Sequence, residues 1–400
     1  MKFVPVNTNR QKKSVYYLFL IIFYTDLFLA LFPAWSGSFV YNYMSRTLFM
    51  NIWLLGALSI FLLSAILILC IQKKIYNLII AFIIMILSVC FWTSIIINGF
   101  QSGGLALLGI PISYFVIFDT LKQYKFANLH LKVSFYSLLL WSISALVYYL
   151  IAPLDVKQQF FIGSEGQILT FSGFALHRNF YGILLGILIL LLIVWKMKIL
   201  YKIPLFIVLL ACLWLSACRS AMVAVSVTSL FLIFFNKYIS FRKKSFLFIL
   251  LLLLAYALYT ILSNPDLSLR DVSDNDDRKE LWSGIYHIIL KNFYWGIGKE
   301  AMYYSISFPE GAQAHNFILQ VMANYGIFVC LSYLTLLGVI FYFSSYYFQA
   351  FLIYLMVFGL TQPYFGFMLP SVHIYLPLFI GHLLDNCKQK STNENCILCF

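Results

Sequence analysis

The chain has 400 residues, 62% of them hydrophobic and only 10% charged, which excludes an ordinary water-soluble globular protein. A net charge of +13 would point to nucleic acid in a soluble protein, but the basic residues stand singly or in short clusters between apolar runs. Membrane lipid is therefore the expected partner and nucleic acid is not.

Apolar stretches long enough to cross about 30 Å of hydrocarbon as helix recur along almost the whole length. They lack two-residue alternation, so they read as helices rather than a barrel. The expected fold is an all-α polytopic integral membrane protein forming one membrane domain over residues 1–400. The basic N-terminus, MKFVPVNTNRQKKS, leads into the first apolar run with no clear small-residue cleavage site, and is read as the start of an uncleaved helix. Candidate spans follow over 14–32, 49–70, 76–97, 104–120, 132–152, 179–195, 203–217, 220–236, 245–262, 316–343, 347–362 and 372–384, about twelve in all. Placing both termini in the cytoplasm puts eighteen of the 27 basic residues there, in keeping with the positive-inside bias.

Three polar pieces then share the external face: residues 153–178, the short turn 216–222, and the large loop 263–315, expected to contain short amphipathic helices. Eight of the fourteen acidic residues lie between 263 and 326. No phosphate-binding loop, dinucleotide fingerprint, HExxH or GxSxG occurs. The cluster Asp274–Asp277 fails as a calcium loop, since Arg278 stands where an oxygen ligand is needed and the glycine is missing; a solvated helix N-terminus suits it better. Cys70, Cys90, Cys212 and Cys330 sit inside apolar runs as small hydrophobes, and Cys396 and Cys399 form a lone CxxC without further ligands. Neither a metal nor a cofactor is expected.

Within the large loop, Asp277 reads as an N-cap with Glu280 three residues on, and Trp282, Ile285, Tyr286, Ile289 and Leu290 recur at helical spacing. This predicts an amphipathic surface helix whose apolar stripe rests on the membrane domain or on headgroups. Arg278 in its first turn is either an interfacial ligand or a solvated charge among acids. Arg219, in a turn of few residues between two apolar spans, must lie at the headgroup boundary, as a functional charge or as a side chain snorkelling to lipid phosphate. His315 heads the next span, where backbone amides favour an anion. His130, His287, His373 and His382 have no motif around them; His130 reads as a cytoplasmic bystander.

Taken together these residues resemble a family. Arg278-x3-Trp282, Asn292-Phe293-Tyr294-Trp295-Gly296-Ile297-Gly298, Ala314-His315-Asn316 and Gly326 look like the signature of the O-antigen ligases and polymerases of bacterial envelope glycan assembly. Ser216-Ala217-Cys218-Arg219-Ser220-Ala221 resembles that family's serine–arginine turn, and His177-Arg178-Asn179 the polar lead into a central span. Cys218 stands where the family often has serine, and Phe293 where proline is common.

The resemblance implies a multi-pass protein of the bacterial cytoplasmic (inner) membrane. It implies metal-independent, inverting transfer of a glycan from undecaprenyl pyrophosphate at the outer face. Arg219 and Arg278 would stabilise the pyrophosphate, with Arg178 as a third. His315 would act as general base or orient the acceptor hydroxyl. His177, Asn179, Asn316 and Trp282 are the expected substrate-binding neighbours. Implied partners are undecaprenyl-pyrophosphate-linked glycans and membrane lipids, beside chain-length regulator and flippase proteins. The first expectation is a polysaccharide polymerase for capsule, exopolysaccharide or O-antigen. Its alternatives are an O-antigen ligase acting on lipid A core or another acceptor and, in another class, a lipid-linked oligosaccharide flippase. Transporters usually carry ionisable or helix-breaking residues near the midplane. Here Asp26 is the main charge well inside a span, and the polar material is piled on one external face.

Overall fold

A backbone placed in hydrocarbon has to satisfy its own hydrogen bonds, and the apolar runs do so here as helices. The computed structural model describes residues 17, 20, 21, 24, 78–99, 127–151, 161–162, 170–171, 178–195, 197–236, 240–241, 245, 275–298, 314–360 and 372–390. Among them the helices are α1 (Leu78–Asn98), α2 (Ala127–Ile151), α3 (Arg178–Val194), α4 (Ile199–Leu215), α5 (Arg219–Phe234), α6 (Asn275–Lys291), α7 (Phe317–Phe343), α8 (Tyr346–Gly359) and α9 (Val372–Lys390). Two short strands, β1 (Phe161–Ile162) and β2 (Thr170–Phe171), pair antiparallel with Phe161 opposite Phe171. The architecture is otherwise all-α. Helices α1 to α5 and α7 to α9 fall on eight of the expected stretches. Those over 49–70 and 104–120, and most of those over 14–32 and 245–262, lie outside the described residues.

By length and composition, Asn128–Val147 of α2 and Phe317–Phe343 of α7 can each cross a membrane, and shorter apolar helices accompany them. Polar residues at the start of α2 hide its first turn from a hydropathy reading, so it begins earlier than expected. His130 there is 7% exposed and pairs with the Tyr24 hydroxyl, a structural position inside the fold.

At the centre stands α3, every residue of which from Tyr181 to Leu192 is buried. A helix that is apolar all round needs neighbours all round, and α2, α4, α5 and α9 pack against it. Gly182 and Gly186 form a small-xxx-small pair that lets two other elements approach closely. A Cβ on Gly182 would lie 2.6 Å from that of Cys218, and one on Gly186 would lie 2.1 Å from the Tyr354 hydroxyl. That hydroxyl donates to the Ile183 carbonyl at 2.8 Å.

Contacts between the helices fix which of their ends lie together. The short link between α4 and α5 brings the start of α5 to the start of α3, where the Cys218 Sγ lies 3.5 Å from Asn179 Oδ1. Tyr346, which opens α8, donates to the Leu232 carbonyl near the end of α5, and Phe231 meets the Phe341 ring at 6.2 Å near the end of α7. Since α7 ends where α5 ends, α7 begins at the end of the bundle where α3 and α5 begin. At the opposite end, buried Asp385 of α9 caps α8, accepting from the Tyr347 and Phe348 amides at 3.0 Å each and from the Ser345 hydroxyl at 2.5 Å.

Candidate active site

The starts of α3 and α5 are thus in contact, and α7 begins toward the same end of the bundle. At the first, α3 begins with Arg178, and buried Asn179 follows. At the second, Ser216 closes α4, its hydroxyl donating to the Leu213 carbonyl at 2.6 Å and accepting from the Cys218 amide at 3.3 Å. Ala217 is left-handed (φ 47), Cys218 is the N-cap, and Arg219, half-buried, is the first residue of α5. The Cys218 thiol thus joins the Arg219 turn to Asn179. His177 lies outside the described residues.

At the third N-terminus, His315 is also left-handed (φ 48) and half-buried. It is followed by Asn316, the N-cap of α7, whose Oδ1 accepts from the Ile318 and Leu319 amides at 2.9 and 3.1 Å. That bonding occupies Asn316 as a cap. Trp282 likewise has a structural bond: its indole N–H donates to the Ala314 carbonyl at 2.7 Å. The Ala314 amide donates to Gln320 Oε1 at 2.8 Å. Both backbone groups of Ala314 are therefore held, and the next residue is His315. A left-handed non-glycine residue costs about 1–2 kcal/mol, so such a conformation needs this kind of support.

Helix α6 is the amphipathic helix expected over 277–290. It starts at Asn275, so Asp277 lies in its first turn, next to Arg278, rather than at its cap. Leu281, Ile285 and Ile289 bury themselves against Ala314, Ala323, Leu319 and Met322, which fastens α6 to the first part of α7.

After α6 the chain turns into α7 rather than over it. Gly326 has φ 83 and ψ 179 inside α7 and breaks it. In an unbroken helix the Ile327 amide would bond the Ala323 carbonyl. Here it donates to Phe293 O at 2.9 Å, while the Ala323 and Asn324 carbonyls accept from the Ile297 and Gly298 amides at 2.9 and 3.0 Å. The Gly-containing segment 292–298 is thus spliced into the break. Ser94 Oγ and Asn98 Nδ2 of α1 both donate to the Trp295 carbonyl at 2.8 Å, fixing it from the other side.

Sequence reasoning passed over Gln320, Asn324, Ser94 and Asn98. Gln320 Nε2 donates to Asn324 Oδ1 at 3.3 Å, so Asn316, Gln320 and Asn324 form a polar ladder at i, i+4 and i+8. That spacing, inside an otherwise apolar span, was the available signal. Among the described residues no group of three or more histidine, cysteine or acidic side chains could hold a metal ion.

No curated protein matches the chain. A family model described as O-antigen ligase matches residues 204–334, from within α4 to within α7. Its stretch takes in Arg219, Arg278, Trp282, His315, Asn316 and the break at Gly326, and leaves the start of α3 outside. Over residues 204–334 the chain is thus similar to the O-antigen ligase family, and its apolar helices are those of a membrane protein.

Proposed function

We propose that the protein is a polysaccharide polymerase of the cell envelope. It transfers glycan from undecaprenyl pyrophosphate onto a lipid-linked repeat unit at the outer face of the cytoplasmic membrane. The reading is supported by the contact between the starts of α3 and α5, which carry Asn179 and Arg219, and by the packing of α6, with Arg278 in its first turn, on the part of α7 that follows His315. Helix N-termini and arginines together suit a pyrophosphate.

In the proposed reaction the acceptor hydroxyl oxygen attacks the anomeric carbon, the bond from that carbon to the pyrophosphate oxygen breaks, and the configuration inverts. The hydroxyl proton passes to the His315 imidazole, whose ordinary pKa near neutrality suits a base. The negative charge that develops on the departing pyrophosphate falls to Arg219 and Arg278, with Arg178 as a third. Because the donor is already activated, the scheme uses neither nucleotide nor metal.

The matched family, described as O-antigen ligase, also favours a second reading: transfer of a finished chain to lipid A core or another acceptor. A deletion strain separates the two. Loss of a polymerase leaves single repeat units on the acceptor, whereas loss of a ligase leaves long chains on undecaprenyl carrier. Purified protein with a synthetic lipid-pyrophosphate oligosaccharide is expected to transfer glycan without added metal or nucleotide. Full activity of His315→Ala and Arg278→Ala in that assay would overturn the site.

A further inference from the structure

The outward surface of α6 is divided in a way that burial against α7 does not explain. With each residue turning the helix by about 100°, Leu281, Ile285 and Ile289 face α7. The next arc round carries Trp282, Tyr286 and Leu290, which are 38%, 55% and 54% exposed. The arc beyond that carries Ser283, His287 and Lys291, also exposed. A helix standing in water beside a membrane domain needs one apolar arc. This one has two, and the second is unburied.

That second arc is continuous with a surface that has to meet lipid. Phe293 and Tyr294 extend it past the end of α6, and Tyr294 stacks on Phe328 of α7 with centroids 5.8 Å apart and planes at 20°. From Phe328 the exposed positions of α7 recur at 331, 335, 338 and 342, a stripe down the outward side of the helix that ends beside exposed Phe343. The seventeen residues from Ile327 to Phe343 rise about 25 Å at about 1.5 Å each, most of a hydrocarbon core of about 30 Å. The stripe of a span that faces outward faces acyl chains, so Phe328 marks where that surface passes onto α6.

We propose that α6 is an interfacial helix lying in the outer leaflet. Its Trp282–Tyr286–Leu290 arc is sunk at the headgroup–acyl boundary, and its Ser283–His287–Lys291 arc faces water. Tyrosine and tryptophan suit that depth because each has an apolar body and a polar tip, and a helix with one apolar and one charged face lies in the plane of the interface. The first turn of α6 is then held at the level of lipid phosphates. This inference rests on membrane location and not on the chemistry proposed above, so its test needs no activity.

The full chain in phosphatidylethanolamine–phosphatidylglycerol vesicles is given a photoreactive phenylalanine analogue at Tyr286, Leu290, Ser283 or His287 in turn, with Leu331 of α7 as the lipid-facing control. All four α6 positions are exposed, so folding is preserved, as size-exclusion chromatography confirms for each variant. After irradiation, mass spectrometry is expected to find phospholipid adducts at 286, 290 and 331 and none at 283 and 287. Adducts at 286 and 290 to another segment of the chain, or their absence while 331 is labelled, would overturn the proposal. Lipid adducts at all four α6 positions would overturn the orientation.

Discussion

Gly326 sits so close to Tyr294 that a Cβ on it would lie 2.1 Å from the Tyr294 carbonyl oxygen. The contact is reciprocal, since a Cβ on Gly296 would lie 2.4 Å from the Asn324 carbonyl carbon. Both clashes are with backbone, which cannot swing aside, and both glycines have positive φ. Gly326→Ala and Gly296→Ala are each expected to lose more than about 2 kcal/mol of stability. Thermal unfolding in detergent checks this, with a drop in melting temperature for each and no rescue by a larger residue at Ala323.

His315→Gly has the opposite sign. Glycine adopts φ near 48 without cost, so the variant is expected to melt at or above the wild-type temperature, by up to about 1 kcal/mol. Glycan transfer should nevertheless vanish. A variant that gains stability while losing activity marks a residue kept in a strained conformation for its side chain.

Gln320→Leu tests the support of that conformation. Removing the amide leaves the Ala314 N–H and Asn324 Oδ1 without the bonds Gln320 makes to them, at about 1–3 kcal/mol for a buried polar group left unsatisfied. Transfer is expected to fall by about 10- to 100-fold, and Gln320→Glu, which keeps the acceptor, should recover part of it. Single-turnover rates on a synthetic donor provide the measurement.

How much of this was legible in advance differs from element to element. The positions of the apolar helices were, because hydropathy reports burial away from water directly, and α3, α4, α5, α7 and α8 begin or end within a few residues of expectation. The helix at 275–291 was too, from the spacing of its apolar residues. The break at Gly326 was not: a glycine in a long apolar helix is ordinary, and only the arrival of 292–298 from a distant part of the sequence turns it into a splice. Trp282 illustrates the same limit. It was expected among the substrate-binding neighbours, but its bond to Ala314 is a long-range relation that no local pattern encodes.

Arg219→Lys distinguishes a phosphate fork from a mere interfacial charge. Lysine keeps the charge and the snorkelling ability but not the bidentate geometry. If Arg219 holds pyrophosphate, transfer should fall by about tenfold or more, roughly 1.4 kcal/mol, without a change in melting temperature. Wild-type kinetics for Arg219→Lys would return it to the role of a lipid anchor.

Asp385→Ala should behave quite differently, since it removes the cap of α8 at the far end of the bundle. A loss of about 1–2 kcal/mol is expected, read as a lower melting temperature, with the affinity for donor in the surviving folded fraction unchanged.

The enclosure of α3 also bears on how the chain is made. Its neighbours α2 and β2 are synthesised before it, but α5, α8 and α9 come after it, and α9 is the last described helix. A newly inserted α3 would therefore rest against lipid, with Gly186 bare, until Tyr354 arrives. A ribosome stalled after α5 but before α8 leaves a greasy helix with the Gly186 notch unfilled in the bilayer. Such a product invites capture by insertion chaperones or membrane proteases, so completion of the C-terminal helices acts as the checkpoint for the centre of the fold.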